Sequence, residues 1–269
     1  MDVRLVKWYG DVVSESGDTA VVYWAAMSLG PLTLRSASAL VYRAGHHAQS
    51  RSGLTSDPEP APGSDGGLTW SCPGIGWTHG RWEPSPGAVE RELWSGSLGC
   101  VRWACTHPMT HAEVTIAGAS IRGRGYAERI ELTVPPWRLP IDELRWGRAH
   151  LGLSSVVWIE WRGPEPLAIV VRDGLVSDGL ISDTTIRDLS GEWSVDLAPG
   201  QIIVDATIGD RVLRVFPALR GVVPHATLGI HERKMLARAT LRDAHGVEQA
   251  SGWALHEVVR LRPADEGGG

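Results

Sequence analysis

The chain of 269 residues contains no asparagine, only two lysines (Lys7 and Lys234) and a single phenylalanine. Without asparagine there is no N-glycosylation acceptor and no Asn-Gly hairpin turn. The basic residues are almost all arginine and the formal net charge is −5, which leaves no electrostatic footprint for nucleic acid. Three cysteines, Cys72, Cys100 and Cys105, are odd in number and far too sparse for a disulfide scaffold, so they are read as free thiols. No stretch of eighteen apolar residues occurs, and the opening “MDVRLVKWYG” has neither a basic leader nor an apolar core. The expectation is a soluble, cytoplasmic protein with no stable membrane insertion. The oligomeric state is left open.

What is abundant is tryptophan, with 13 residues, alongside 32 glycines and 17 prolines. A buried indole needs a partner for its N–H, so this many suit either the walls of a large apolar cavity or hydrogen-bonded anchors in the core of β-sheets. Hydrophobic residues at 43% and charged residues at 21% are globular values. The length suffices for one large or two small domains.

Short alternating or β-branched runs dominate, punctuated by Gly, Pro, Asp and Ser. They include “TAVVYWAAM” (19–27), “ASALVYRA” (37–44), “AVERELW” (88–94), “AEVTIAG” (112–118) and “AERIELTV” (127–134) in the first half. The second half continues with “SVVWIEW” (155–161), “LAIVVRDG” (167–174), “QIIVDATIG” (201–209), “RVLRVFPAL” (211–219) and “WALHEVVRL” (253–261). Strand signals at this spacing predict an all-β protein. Only “PIDELRWGRAHL” (140–151) and “IHERKMLARAT” (230–240) leave room for a helical turn or two.

The halves resemble each other. “LVYRAG” (40–45) matches “IVVRDG” (169–174), and “ERIEL” (128–132) matches “EVVRL” (257–261), both at an offset of 129 residues. Each half also opens on a tryptophan, a Gly-containing turn and a Trp-bearing strand, which predicts an internal duplication of a β-barrel or sandwich. “TVPPWRLP” ends the last strand of the first copy, because proline removes ladder donors, and the expected domains are 1–136 and 137–269. The polar stretch 45–67, rich in Pro, Gly and Ser, reads as a long surface loop, either disordered or a lid.

“CVRWACTHPMTH” (100–111) crowds Cys100, Cys105, His107 and His111 together, but alternate strand residues point to opposite faces and no intervening loop lets four ligands converge. “GRGYAE” (123–128) lacks the third glycine and the following helix of a dinucleotide site, and “WSGSLG” (94–99) is not a nucleophile elbow. Neither a metal nor a cofactor is expected. The strongest chemical candidate is the strand carrying Tyr126 and Glu128, which share a face. Were that face the barrel interior, a carboxyl group among aromatic walls would become a proton donor near neutral pH. The competing reading pairs Glu128 with Arg129, Arg145 or Arg148 in a structural ion pair.

“KWYGDVVSESGDTAVVYW” (7–24) resembles the opening strand pair of the carotenoid 1,2-hydratase group of lipocalin-like proteins, which includes bacterial proteins of the attachment-gene type. “GYAERIELTVPPWRLPIDELRWGR” (125–148) is similar to that group's stretch between barrels, and “SGWALHEVVRL” (251–261) to its C-terminal strand. The resemblance implies an all-β fold of two tandem lipocalin-like β-barrels related by internal duplication, holding an apolar ligand. It implies acid-catalysed hydration of isoprenoid double bonds, with related two-barrel proteins acting as Diels–Alder cyclases. Glu128 stands where the hydratases place their acid after a Gly-Tyr pair, although those enzymes carry an Asp-His-Asn-like run where this chain reads “YAERIE”. The expected function is therefore a lyase or isomerase acting on a hydrophobic small molecule, a polyene or isoprenoid, by hydration, isomerisation or cyclisation. A pericyclase or a lipid or pigment carrier is the alternative. Glu128 and Tyr126 are the expected catalytic residues, with Trp8, Tyr23, Trp24, His79, Trp82, Trp146, Arg148 and His150 lining the substrate.

Overall fold

The computed structural model describes residues 3–207, 209 and 229–261. The chain divides into two compact units, Met1–Arg138 and Leu139–Gly269.

The first unit contains β1 (Val3–Val13), β2 (Thr19–Leu29), β3 (Leu32–Tyr42), β4 (Gln49–Leu54), β5 (Leu68–Thr69), β6 (Trp77–Trp82), β7 (Val89–Gly96), β8 (Gly99–Ile116) and β9 (Ala119–Leu132). They form one antiparallel sheet in the order β4-β3-β2-β1-β9-β8-β6-β5, with β7 also bonded to β8. Alternation along each strand sends one set of side chains to a common core made of Trp8, Trp24, Trp70, Trp77, Trp82 and small or β-branched residues such as Val22, Ala39 and Ala127.

The second unit contains β10 (Glu143–Leu151), β11 (Ser154–Arg162), β12 (Leu167–Arg172), β13 (Leu175–Ile181), β14 (Thr185–Asp188), β15 (Trp193–Leu197), β16 (Gln201–Thr207), β17 (His231–Asp243) and β18 (Glu248–Arg260). Eight of these close on themselves, because β15, at the end of the path β15-β14-β13-β12-β11-β10-β18-β17, is also bonded to β17. A closed sheet has no exposed edge to protect. Its core gathers Ala149, Leu151, Val156, Trp158, Val170, Trp193 and Leu241. Among the described residues no helix is long and apolar enough to cross a membrane.

Strand register reproduces the duplication. Glu128 of β9 lies opposite Tyr9 of β1 and Cys105 of β8, while Glu257 of β18 lies opposite Trp146 of β10 and Lys234 of β17. The 129-residue offset seen in the sequence thus carries the Cys105–Glu128 pairing of β8 and β9 onto the Lys234–Glu257 pairing of β17 and β18.

Both segments that left room for helical turns are extended. Residues 143–151 form β10 and 231–243 form β17, each bonded along both edges, so that two ladders override the local helix propensity of Glu, Leu, Arg and Ala. The expected strand 211–219 lies outside the described residues. Between Gly45 and Gly67 the chain is not one long loop, since β4 adds to β3 at 49–54. The remainder is tied inward: Glu59 accepts from the Trp8 indole at 3.1 Å and the Asp57 carbonyl from the Trp24 indole at 3.2 Å.

Glycine makes room for an indole at equivalent places in the two units. A Cβ on Gly10 would stand 2.6 Å from Trp82, and one on Gly147 would stand 2.2 Å from Trp158. Overpacking of this kind costs about 1–3 kcal/mol. Gly10→Ala and Gly147→Ala are each expected to lower the unfolding free energy by an amount in that range, read as a lower denaturant midpoint. Unchanged midpoints would show that the indoles move aside freely.

Candidate functional site

Glu128 and Tyr126 lie on the face of β9 opposite to Ala127, and Ala127 belongs to the tryptophan core. The expectation that the pair faces the barrel interior is therefore corrected: the pleat sends them outward. Tyr126 is fully buried there, Glu128 is half-buried, and their strand neighbours supply a continuous cluster.

The Tyr126 hydroxyl donates to Glu128 Oε2 at 2.7 Å, and the Trp103 indole N–H donates to the same oxygen at 2.5 Å. Two donors on one oxygen require that Oε2 act as acceptor only, so a proton on this carboxyl would be carried on Oε1. Beside them Tyr9 donates to Asp11 Oδ2 at 2.7 Å. The Tyr9 ring meets Tyr126 and Tyr23 edge-on at 6.0 and 5.2 Å, and Lys7 Nζ lies 4.6 Å from the Tyr23 ring centre. Cys105, opposite Glu128, is 1% exposed. Burial pushes its thiol far up from the ordinary value, the neighbouring Glu128 adding to the shift. Burial likewise raises the Tyr126 phenol well above its usual range, with Cys105 and Glu128 contributing. Tyr126 is thus a neutral hydrogen-bond donor at any working pH.

The remaining expected residues are distributed by parity and by unit. Of the substrate-lining set Tyr23 joins the cluster around Tyr126 and Glu128, through its contact with Tyr9. Trp8, Trp24 and Trp82 belong to the packed core on the other side of the same sheet, where their indoles bond to Glu59, the Asp57 carbonyl and the Asp11 carbonyl. They act as hydrogen-bonded core anchors. His79 faces outward from β6 opposite Thr115, and its carbonyl accepts from the Trp77 indole at 3.0 Å. Trp146, Arg148 and His150 are buried together on one face of β10 in the second unit, where Arg148 donates to the Trp253 carbonyl at 3.3 Å.

Of the three arginines considered as ion-pair partners of Glu128, parity bears on Arg129. Arg129 points to the core side, where it pairs with Glu59 at 2.7 Å and with Glu131 at 2.8 Å. The sequence reading missed Trp103, Tyr9 and Asp11. Trp103 and Cys105 stood in the segment weighed only for metal binding. Residues 101, 103 and 105 share a face, and that period-two spacing was the available signal. His107 of the same segment lies elsewhere, with Nε2 3.1 Å from the Gly66 carbonyl. Among the described residues no group of three His, Cys, Asp or Glu side chains is placed to hold a metal ion.

No protein-family model matches the chain, and no curated protein matches it by sequence. Solved structures do resemble it. An AttH-like protein of Nitrosomonas europaea gives a TM-score of 0.63 at 12% identity, covering 98% of this chain and 94% of that one. Kievitone hydratase of Nectria haematococca gives 0.56 at 12% identity, over 95% and 88%. CghA, solved with Sch210972, gives 0.53 at 15% identity, over 96% and 89%. The fold is that of these lipocalin-like two-barrel proteins, and at such identities the likeness is one of fold.

Burial separates the three thiols. Cys72 and Cys105 are each 1% exposed while Cys100 is half-buried, and only an accessible thiolate reacts. Brief treatment of the native protein with iodoacetamide should label Cys100 alone, and treatment after denaturation all three, as read by peptide mass spectrometry. Native labelling of Cys105 would contradict the packing around Glu128.

Proposed function

We propose that the protein is an enzyme of hydratase or cyclase type, in which Glu128 protonates a double bond of a hydrophobic polyene or isoprenoid. The observation that carries this reading is the convergence of the Tyr126 hydroxyl and the Trp103 indole on one oxygen of a half-buried carboxyl group. Those two donors fix the plane of the carboxyl and leave Oε1 as the proton-bearing atom. A positioned acid of this kind typically contributes about 10²–10⁴-fold in rate.

The chemistry follows from that atom. Transfer of the Oε1 proton to the less substituted alkene carbon leaves a tertiary cation on its neighbour and a carboxylate on Glu128, which Tyr126 and Trp103 continue to stabilise. Capture by water, with loss of a proton, gives hydration. Loss of a different proton to Glu128 gives isomerisation, and attack by a second double bond of the same molecule closes a ring and moves the cation, which is then quenched by loss of a proton to the Glu128 carboxylate. The walls in this reading are Tyr9, Tyr23, Trp103 and Tyr126, all of the first unit, in place of Trp8, Trp24 and Trp82. The two-barrel fold shared with kievitone hydratase supports the hydratase side of the assignment by analogy.

Incubation with acyclic polyenes, squalene and lycopene among them, in D2O tests the mechanism by mass spectrometry of the products. An acid-initiated reaction places one deuterium on carbon per turnover. Glu128→Gln is expected to cut turnover at least 100-fold with an unchanged melting temperature, and Tyr126→Phe to cut it about 10-fold. Product without deuterium, or full activity in Glu128→Gln, would replace proton transfer by a pericyclic reaction. Polyene recovered unchanged from a stoichiometric complex would make the protein a carrier.

A further inference from the structure

The second unit holds a cavity of about 310 Å³ that the Glu128 chemistry does not use. It opens within the ring of strands formed by β10, β11, β13, β16, β17 and β18. Trp158 and His256 form its floor. They come within 6.3 Å of each other across Gly147, the position where any Cβ would strike both side chains. Met235, Ile181 and Val258 supply further apolar wall.

We propose that this cavity is a separate binding site for a small planar monocarboxylate, whose ring lies over Trp158 and whose carboxylate is taken by Arg233. Arg233 lines the cavity and is exposed toward solvent, and among the described residues it forms no ion pair. It shares a face with Met235, and Met235 lies opposite His256, so its backbone stands about 7 Å along the barrel wall from the floor. That spacing matches an aromatic ring at one end and a carboxylate at the other. A planar guanidinium receives a carboxylate through two parallel N–H donors.

The neighbouring charges set the ligand's charge. Asp205 and Glu257 line the cavity but are engaged, Asp205 with His231 at 2.7 Å and Glu257 with the buried Lys234. Asp183 is bound to Arg145. With those carboxylates already held by cations, and Arg145 and Arg260 both paired with Glu143, Arg233 is left to receive one carboxylate, and a second one at the apolar floor would be buried without a partner. Burial, reinforced by the Lys234 ammonium, holds the His256 imidazole down to about 4, so near neutral pH it offers a hydrogen bond without adding positive charge. The volume lies at the low end of small-molecule sites, about 300–1,000 Å³, which suits a bicyclic ring and excludes a long polyene. The site is therefore independent of the reaction assigned to Glu128.

Calorimetric titration with 2-naphthoate at neutral pH tests the assignment, with 2-naphthamide and 2,6-naphthalenedicarboxylate as the neutral and doubly charged comparators. The expected result is saturable one-to-one binding of 2-naphthoate, at least 10-fold weaker binding of both comparators, and a loss of at least 10-fold for 2-naphthoate in Arg233→Gln. That variant should bind 2-naphthamide as the parent does and melt at the same temperature, since Arg233 is a surface side chain. Glu128→Gln should bind 2-naphthoate normally. Absence of saturable binding, or equal binding by Arg233→Gln, would overturn the site. Binding lost in Glu128→Gln and kept in Arg233→Gln would move the ligand to the first unit and overturn it equally.

Discussion

Side chains alternate along β9, and the chemistry of the first unit depends on which parity meets the tryptophans. Ala127 occupies the core position, small enough for the indoles that crowd there, and so its neighbours Tyr126 and Glu128 must point the other way. The same parity runs through β1, where Trp8 turns inward and Tyr9 and Asp11 outward, and through β8, where Trp103 and Cys105 join the outward set. A one-residue slip would exchange the two faces completely. The acid cluster and the indole core are therefore two products of one register, held by the ladders of β9 to β1 and β8.

The indoles explain why the first barrel's interior reads as core. Trp8, Trp24, Trp77 and Trp82 each donate to a definite oxygen: a carboxylate of the strap at 55–60, a carbonyl of that strap, and carbonyls of β6 and β1. A buried N–H without an acceptor would cost about 1–3 kcal/mol, so these bonds fix where each ring can sit. The strap thereby belongs to the core it covers. In the second unit Trp158 lies at the floor of a cavity of about 310 Å³.

The all-β class, the tandem duplication and the placing of Tyr126 and Glu128 on one face were legible in the sequence because each rests on period-two spacing or on a repeat at fixed offset. The direction of the face was not. Alternation states which residues share a side but not which side meets the core, and the flanking Tyr9, Tyr23 and Trp103 are as hydrophobic as the true core set. Trp103 escaped notice because its contact with Glu128 joins strands 25 residues apart, and such partners depend on register. Residues 143–151 and 231–243 carry good helix formers, and only pairing along both edges makes them strands.

The register equivalence of the two units has a consequence for symmetry. Glu128 and Glu257 are counterparts, yet one accepts from a phenol and an indole while the other is clamped by a lysine that is 1% exposed. A carboxyl held by a buried ammonium is tied to that partner, since removing either member would leave a buried charge uncompensated. The two halves thus differ in the partners given to one equivalent carboxyl. One position became part of an aromatic and phenolic hydrogen-bond cluster, and its counterpart became part of a buried ion pair.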